Sequence, residues 1–218
     1  MHKSVPTSAP SPEPPARSRG RPRAFDRAAA LAEATRLFWR KGYAATSIAD
    51  LTEAMGIGSP SLYAAFGSKE ALYAEALEHY QQQYGALVWA NFLAAPTARA
   101  AMAAYLTDSA AALTGACGGA DPRGCMVTLS AVGGEGQEDL GAQVRAARAL
   151  GLRLLEERLA QGVAAGEIST AADVPGLARF VLAVQGGMSL QARDGASRTE
   201  LEAVARHAMQ GWDALAGG

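Results

Sequence analysis

Residues 28–77 read AAALAEATRLFWRKGYAATSIADLTEAMGIGSPSLYAAFGSKEALYAEAL, and their spacing decides the fold. Leu31, Ala34, Leu37 and Phe38 recur at helical intervals behind Asp26, a side chain suited to accept from the free N–H groups of a first turn. Lys41-Gly42 supplies a cationic last turn and a stop. A second, short helix begins after Thr46 or Ser47 and presents Ile48, Leu51 and Met55. Gly56-Ile57-Gly58 reads as a turn. Ser59-Pro60 reads as a cap followed by proline at the first helical position, which opens a third helix running to about Ala65, where Gly67 ends it. Ser68 then caps a fourth helix bearing Leu72, Ala76, Tyr80, Tyr84 and Leu87.

On the N-terminal side, residues 1–20 are rich in Pro, Ser and Ala and are expected to form a disordered tail, because they cannot bury enough apolar surface to offset ordering. A basic arm follows, with Arg17, Arg19, Arg21 and Arg23. On the C-terminal side the pattern predicts helices over Thr97 to Leu113, Cys125 to Val132, Leu140 to about Ala165, Asp173 to about Ala192 and Arg198 to Leu215. A Gly-rich loop, Gly115 to Gly124, precedes the short apolar helix, and Gly133-Gly134 breaks it. No segment alternates with period two. The fold expected is all-α, a three-helix head with a helix-turn-helix from about Ser47 to Phe66, then a larger helical body, about nine helices in all.

Charge divides along the same line. Residues 1–70 carry 10 Lys/Arg against 6 Asp/Glu, net +4, whereas residues 71–218 carry 10 against 15, net -5. A basic head on an acidic body points to a polyanion at the head alone. Two cysteines, Cys117 and Cys125, form no CxxC pair, so no zinc site is implied, and their sparse use fits a reducing cytoplasm. The N-terminus lacks the apolar core of a secretory signal. The longest uncharged run, Tyr80 to Ala98, is too polar to span a bilayer. No HExxH, GxSxG, Walker or GxGxxG pattern is present, and His2, His79 and His207 are scattered. Neither an enzyme nor a cofactor is expected.

Two short helices joined by a glycine turn make a corner in which the first braces the second, and the second offers its outer face to the major groove of double-stranded DNA. The inward set is Ile48, Leu51, Met55, Ile57 and Leu62; the outward set is Ser59, Ser61, Tyr63 and Ala64, with Pro60 at the helix start. Thr46 and Ser47 are placed at a helix N-terminus, where N–H groups and the dipole favour a phosphate, and Lys69 stands at the start of the next helix as a further phosphate partner. Arg21 and Arg23 in the arm read either as minor-groove contacts or as a solubilising tail.

At these residues the chain resembles the TetR/AcrR family of repressors. The marks run in order through Phe38, Gly42, Tyr43, Thr46, Ile48, Ala49, Ala54, Gly56, Leu62, Tyr63, Phe66, Lys69, Leu72 and Tyr73, over about a quarter of the chain. The resemblance implies phosphate contacts from Thr46, Tyr63 and Lys69 and base contacts from the third helix. It divides the chain into a tail and arm (1–23), a DNA-binding domain (24–70) and an effector-binding and dimerisation domain (71–218). It further implies a homodimer paired through the last two long helices, with Gly186, Gly187, Leu201, Met209 and Trp212 as seam residues. The effector pocket in the body has Trp89, Phe92, Met102, Tyr105, Cys125, Met126, Phe180, Gln185 and Met188 as candidate walls, an apolar set suited to a small apolar or aromatic effector. A thiol-based sensor of electrophiles or oxidants at Cys125 is the alternative, and ligand-promoted DNA binding is as compatible with the sequence as release.

Overall fold

In the computed structural model, which describes residues 26–115, 121–131 and 136–216, with side chains as far as Trp212, Asp26 Oδ1 accepts from the Ala29 N–H at 3.0 Å and opens α1 (Arg27–Lys41). A reciprocal capping box between Ser47 and Asp50 starts α2 (Ile48–Met55). The third helix, α3 (Ser59–Phe66), begins one residue earlier than the sequence suggests. Gly58 occupies the cap position with no side-chain bond, so Ser59 and Pro60 are the first two helical residues. Ser68 caps α4 (Lys69–Ala94), which runs 26 residues and stops where Ala95, extended at φ -65° and ψ 136°, meets Pro96.

Thr97 caps α5 (Ala98–Leu113). The short apolar helix, expected from Cys125 to Val132, is confined to α6 (Met126–Leu129): Ser130 is extended, and its hydroxyl bonds that of Tyr73 on α4. Tertiary bonding has overridden local apolar character. Then follow α7 (Glu138–Ala164), α8 (Val174–Arg193), capped by Asp173, and α9 (Arg198–Ala216). No strand occurs among the described residues, and no helix there is long and apolar enough to cross a membrane. The arm, Gly133 and Gly134 lie outside them.

Two cores organise these helices. One joins α1, α2 and α3 to the first turns of α4 through Phe38, Leu51, Leu62, Leu72 and Tyr73, and reaches Met126, Leu140 and Val144. The other surrounds α5, with Met102 and Leu106 packed among Leu155, Leu159, Met188 and Leu201. Since α4 contributes to both, a division at residue 70 falls at the start of a helix that the two cores share.

Candidate nucleic-acid interface and cavity

An eight-residue helix cannot sustain itself in water, and α3 is held at its middle and its C-terminal end. Leu62 (0% exposed) and Phe66 sink into the head core. Arg27 of α1 donates from Nε and Nη2 to the Ala65 carbonyl at 3.3 and 3.2 Å, pairs with Glu75 of α4 at 2.8 Å, and lies 4.4 Å over the Phe66 ring. Ser59, Pro60, Ser61, Tyr63 and Ala64 are left facing solvent, with Tyr63 48% exposed. This face offers two alcohols, a phenol and apolar carbon, and no ionic group.

Lys69 stands beside it. Its ammonium sits 4.2 Å over the Tyr43 ring, a cation–π arrangement. The Tyr43 hydroxyl donates to Glu70 Oε1 at 2.6 Å, and burial together with that carboxylate raises the phenol to about 12. Desolvation lowers the Lys69 ammonium from its ordinary value. Lys69 is therefore a half-buried cation held by a buried ring.

The two residues expected to receive a phosphate at the start of α2 require correction. Thr46 is buried, and its hydroxyl donates to the Gly42 carbonyl at 2.6 Å, closing the connection from α1 to α2. Ser47 is exposed, but its hydroxyl accepts from the Asp50 N–H (3.0 Å) and donates to Asp50 Oδ2 (2.8 Å), while Lys41 pairs with Asp50 Oδ1 at 2.8 Å. Lys41 and Ser47 hold the Asp50 carboxyl well below the usual carboxylate range. The positive end of α2 thus already faces an anion. Arg21 and Arg23 lie outside the described residues.

Behind the head, helices α4 to α8 line a cavity of about 420 Å³ that is open to solvent beside Arg148 and Leu150. Four of the expected wall residues line it: Trp89, Tyr105, Cys125 and Gln185. The other five do not. Phe92, Met102 and Met188 are wholly buried in the body core, Phe180 packs against that core, and Met126 turns to the head core. Sequence reasoning missed Tyr80, Tyr84 and Val88 as wall residues, although their interval of four along α4 was the available signal. It also missed Arg148 of α7, for which no spacing gave a sign.

The segment 121–131 ties this cavity to the head. Cys125, Val127 and Thr128 line the cavity, while the Gly124 carbonyl accepts from Trp39 Nε1 at 3.0 Å. Asp121 receives the Tyr84 hydroxyl (2.7 Å) and Arg36 Nε of α1 (3.1 Å). At the end of α8, Arg193 donates to the carbonyls of Arg123 (2.9 Å) and Trp39 (3.0 Å).

The expected seam also needs correction. Leu201, Met209 and Trp212 are 0%, 8% and 2% exposed, packed into the chain's own core, where they leave little surface for a second copy. Gly186 is half-buried and Gly187 exposed. A Cβ added at Gly186 would stand 3.8 Å from Thr128 Cγ2, whereas one at Gly187 would meet nothing within 4 Å.

Comparison with known proteins agrees with this architecture. Residues 30–76 match the family model for bacterial regulatory proteins of the tetR family. The HTH-type transcriptional repressor ComR of Escherichia coli is 38% identical over 205 residues, spanning 91% of this chain and 94% of that protein. BdcR, a second E. coli repressor, is 49% identical over 61 residues, or 28% of this chain and 31% of its own. Among solved structures, a cysteine-substituted TetR-family regulator CifR in complex with 26 bp operator DNA is 43% identical, with a TM-score of 0.80, over 88% of this chain and 98% of that one. With a relative matched along nearly its whole length and the helix-turn-helix in place, the chain belongs to the TetR family of bacterial regulatory proteins.

Proposed function

We propose that this protein is a transcriptional repressor that binds a pseudo-palindromic operator as a homodimer and is released by a small molecule entering the cavity. The observation that carries the reading is the solvent face of α3, where Ser59, Pro60, Ser61, Tyr63 and Ala64 are exposed together beside Lys69. Tyr63 and Lys69 contact phosphates, and the remaining groups reach base edges. The structure of CifR on operator DNA supports the same use of the head. An effector that binds one head spacing better than the other shifts the equilibrium, and a coupling of about 1–3 kcal/mol weakens DNA binding roughly 5–150-fold. Operator fragments selected from a random pool test the DNA reading. Lys69→Ala is expected to weaken binding to all of them alike and to lower the salt slope by about 1; undiminished affinity in both Lys69→Ala and Tyr63→Phe, with an unchanged salt slope, would reject this interface.

A second reading, thiol sensing, is favoured by the position of Cys125 on the cavity wall. It predicts that N-ethylmaleimide releases operator from the wild type and not from Cys125→Ser. Equal release from both removes it.

A further inference from the structure

The cavity walls are aromatic and aliphatic apart from a few polar groups, and these differ in how they are engaged. Tyr105 of α5 is 4% exposed, and its hydroxyl has no hydrogen-bond partner among the described residues. Burial raises its pKa, so it stays a protonated O–H donor. Gln185 of α8 is 7% exposed; its Oε1 lies 3.5 Å from Thr128 Oγ1, and its Nε2 donates to no described residue. Neither atom is sealed in the core, where among the described residues Ser109 Oγ is the unpartnered polar group, so both donors open onto the cavity and are available to an acceptor carried by its occupant.

Charge complementarity narrows the class. No described wall residue is a carboxylate, and the one cation, Arg148, directs Nε and Nη2 to the carbonyls of Val127 (3.1 Å), Thr128 (3.2 Å) and Ser130 at the end of α6. A cationic ligand meets Arg148 with no counter-ion, and an anionic one has to compete with three carbonyls for it. Much of the remaining wall is aromatic: Trp89 and Tyr105 lie with centroids 4.8 Å apart and their planes tilted by 34°, and Tyr80 and Tyr84 stack at 4.9 Å and 22°, with leucine and valine side chains between. Such faces favour a planar apolar body.

We propose that the effector is an uncharged molecule with a planar apolar body and one carbonyl oxygen, which accepts from the Tyr105 hydroxyl and the Gln185 carboxamide. The proposal rests on the cavity being the effector site. Four probes sharing one ring system separate the alternatives: 2-acetylnaphthalene, 2-ethylnaphthalene, 2-naphthoate and (2-naphthylmethyl)trimethylammonium. Their dissociation constants are measured by calorimetry with the full chain, and operator affinity is followed in parallel.

The ketone is expected to bind about ten-fold tighter than the hydrocarbon and than either ion. Tyr105→Phe and Gln185→Leu should each weaken the ketone by roughly 5–10-fold and leave the hydrocarbon within about two-fold, which also shows that the cavity is still formed. Equal binding of ketone and hydrocarbon, or preference for either ion, overturns the ligand class and leaves the cavity as effector site. Ketone binding of the expected pattern with unchanged operator affinity upholds the ligand class and removes the effector reading. No binding by any probe overturns both.

Discussion

Tyr43 joins fold to interface through two contacts, its ring beneath Lys69 and its hydroxyl on Glu70. The Glu70 carboxyl is held below its ordinary 4.5, first of all by that hydroxyl. A lowered folded-state value contributes stability that is fully present above 4.5 and is lost as pH falls through the folded value. Tyr43→Phe keeps the ring and deletes the bond. Because Glu70 is solvent-exposed, the cost at pH 7 is discounted to about 1 kcal/mol. Urea unfolding should show this deficit at pH 7 and its progressive loss as pH falls below 4.5; a deficit that does not shrink on acidification would contradict the assignment. Between Ser59 and Phe66 there is no Arg, Lys, Asn or Gln, so the bidentate readout of G or A is unavailable to this helix. Exposed Pro60 and Ala64 instead suit the thymine methyl. Replacing the thymines of a selected operator by deoxyuracil, which lacks only that methyl, should weaken binding roughly four-fold per lost contact, at about 0.8 kcal/mol per buried carbon. Unchanged affinity for every deoxyuracil operator would remove this mode of readout.

At the scale of elements, caps made the starts of α1, α2 and α4 legible in the sequence, since Asp26, Ser47 and Ser68 each accept from a first-turn N–H, whereas α5 and α8 were legible from periodicity and the structure adds Thr97 and Asp173 as their caps. The start of α3 shifted by one because Gly58 and Ser59 both suit a cap, and backbone conformation alone decides between them. Cavity walls were less legible for a different reason. Trp89 and Phe92 sit three residues apart on α4, on neighbouring parts of one helical surface, yet one lines the cavity and the other is core; periodicity cannot separate them. Nor could it show that the stretch before α6 is a structural hub. Gly124 has φ +81°, donates to the Leu113 carbonyl at 2.9 Å and accepts from Trp39. A Cβ there would stand 2.6 Å from Leu129 Cδ1 and 2.8 Å from the Ser189 carbonyl oxygen. Gly124→Ala combines positive-φ strain with overpacking, a loss of about 2–4 kcal/mol. In a chain of this size that lowers the melting temperature by roughly 5–15 °C. A melt within about 2 °C of wild type would show that the segment yields at little cost.

At the scale of the whole molecule, the proposed homodimer needs a surface that one protomer leaves free. Leu201, Met209 and Trp212 are committed to the interior, so a dimer of the proposed kind, if paired through α8 and α9, would use what those helices leave outside. On α8 the exposed residues include Ala183, Gly187 and Leu190, the last 55% exposed, with Arg179 and Gln191 beside them; on α9 they include His207 and Gly211, flanked by Arg206 and Gln210. Ala183, Gly187, Leu190 and likewise His207, Gly211 fall at helical intervals, and the small side chains of Ala183, Gly187 and Gly211 permit close helix approach. Gly187 discriminates between a seam and a bare surface because the two give opposite signs. In an exposed helix interior, glycine to alanine stabilises by about 1 kcal/mol, and within the protomer nothing obstructs the added methyl. Gly187→Ala on a solvent face should therefore raise the melting temperature by roughly 2–4 °C and leave self-association untouched. At a closely packed seam the methyl overpacks, which costs about 1–3 kcal/mol per interface and weakens dimerisation roughly 5–150-fold. The dimer reading expects the second result by sedimentation equilibrium, together with operator binding that becomes steeper in protein concentration because two heads must assemble on one duplex. A higher melt with an unaltered association constant would place the seam elsewhere.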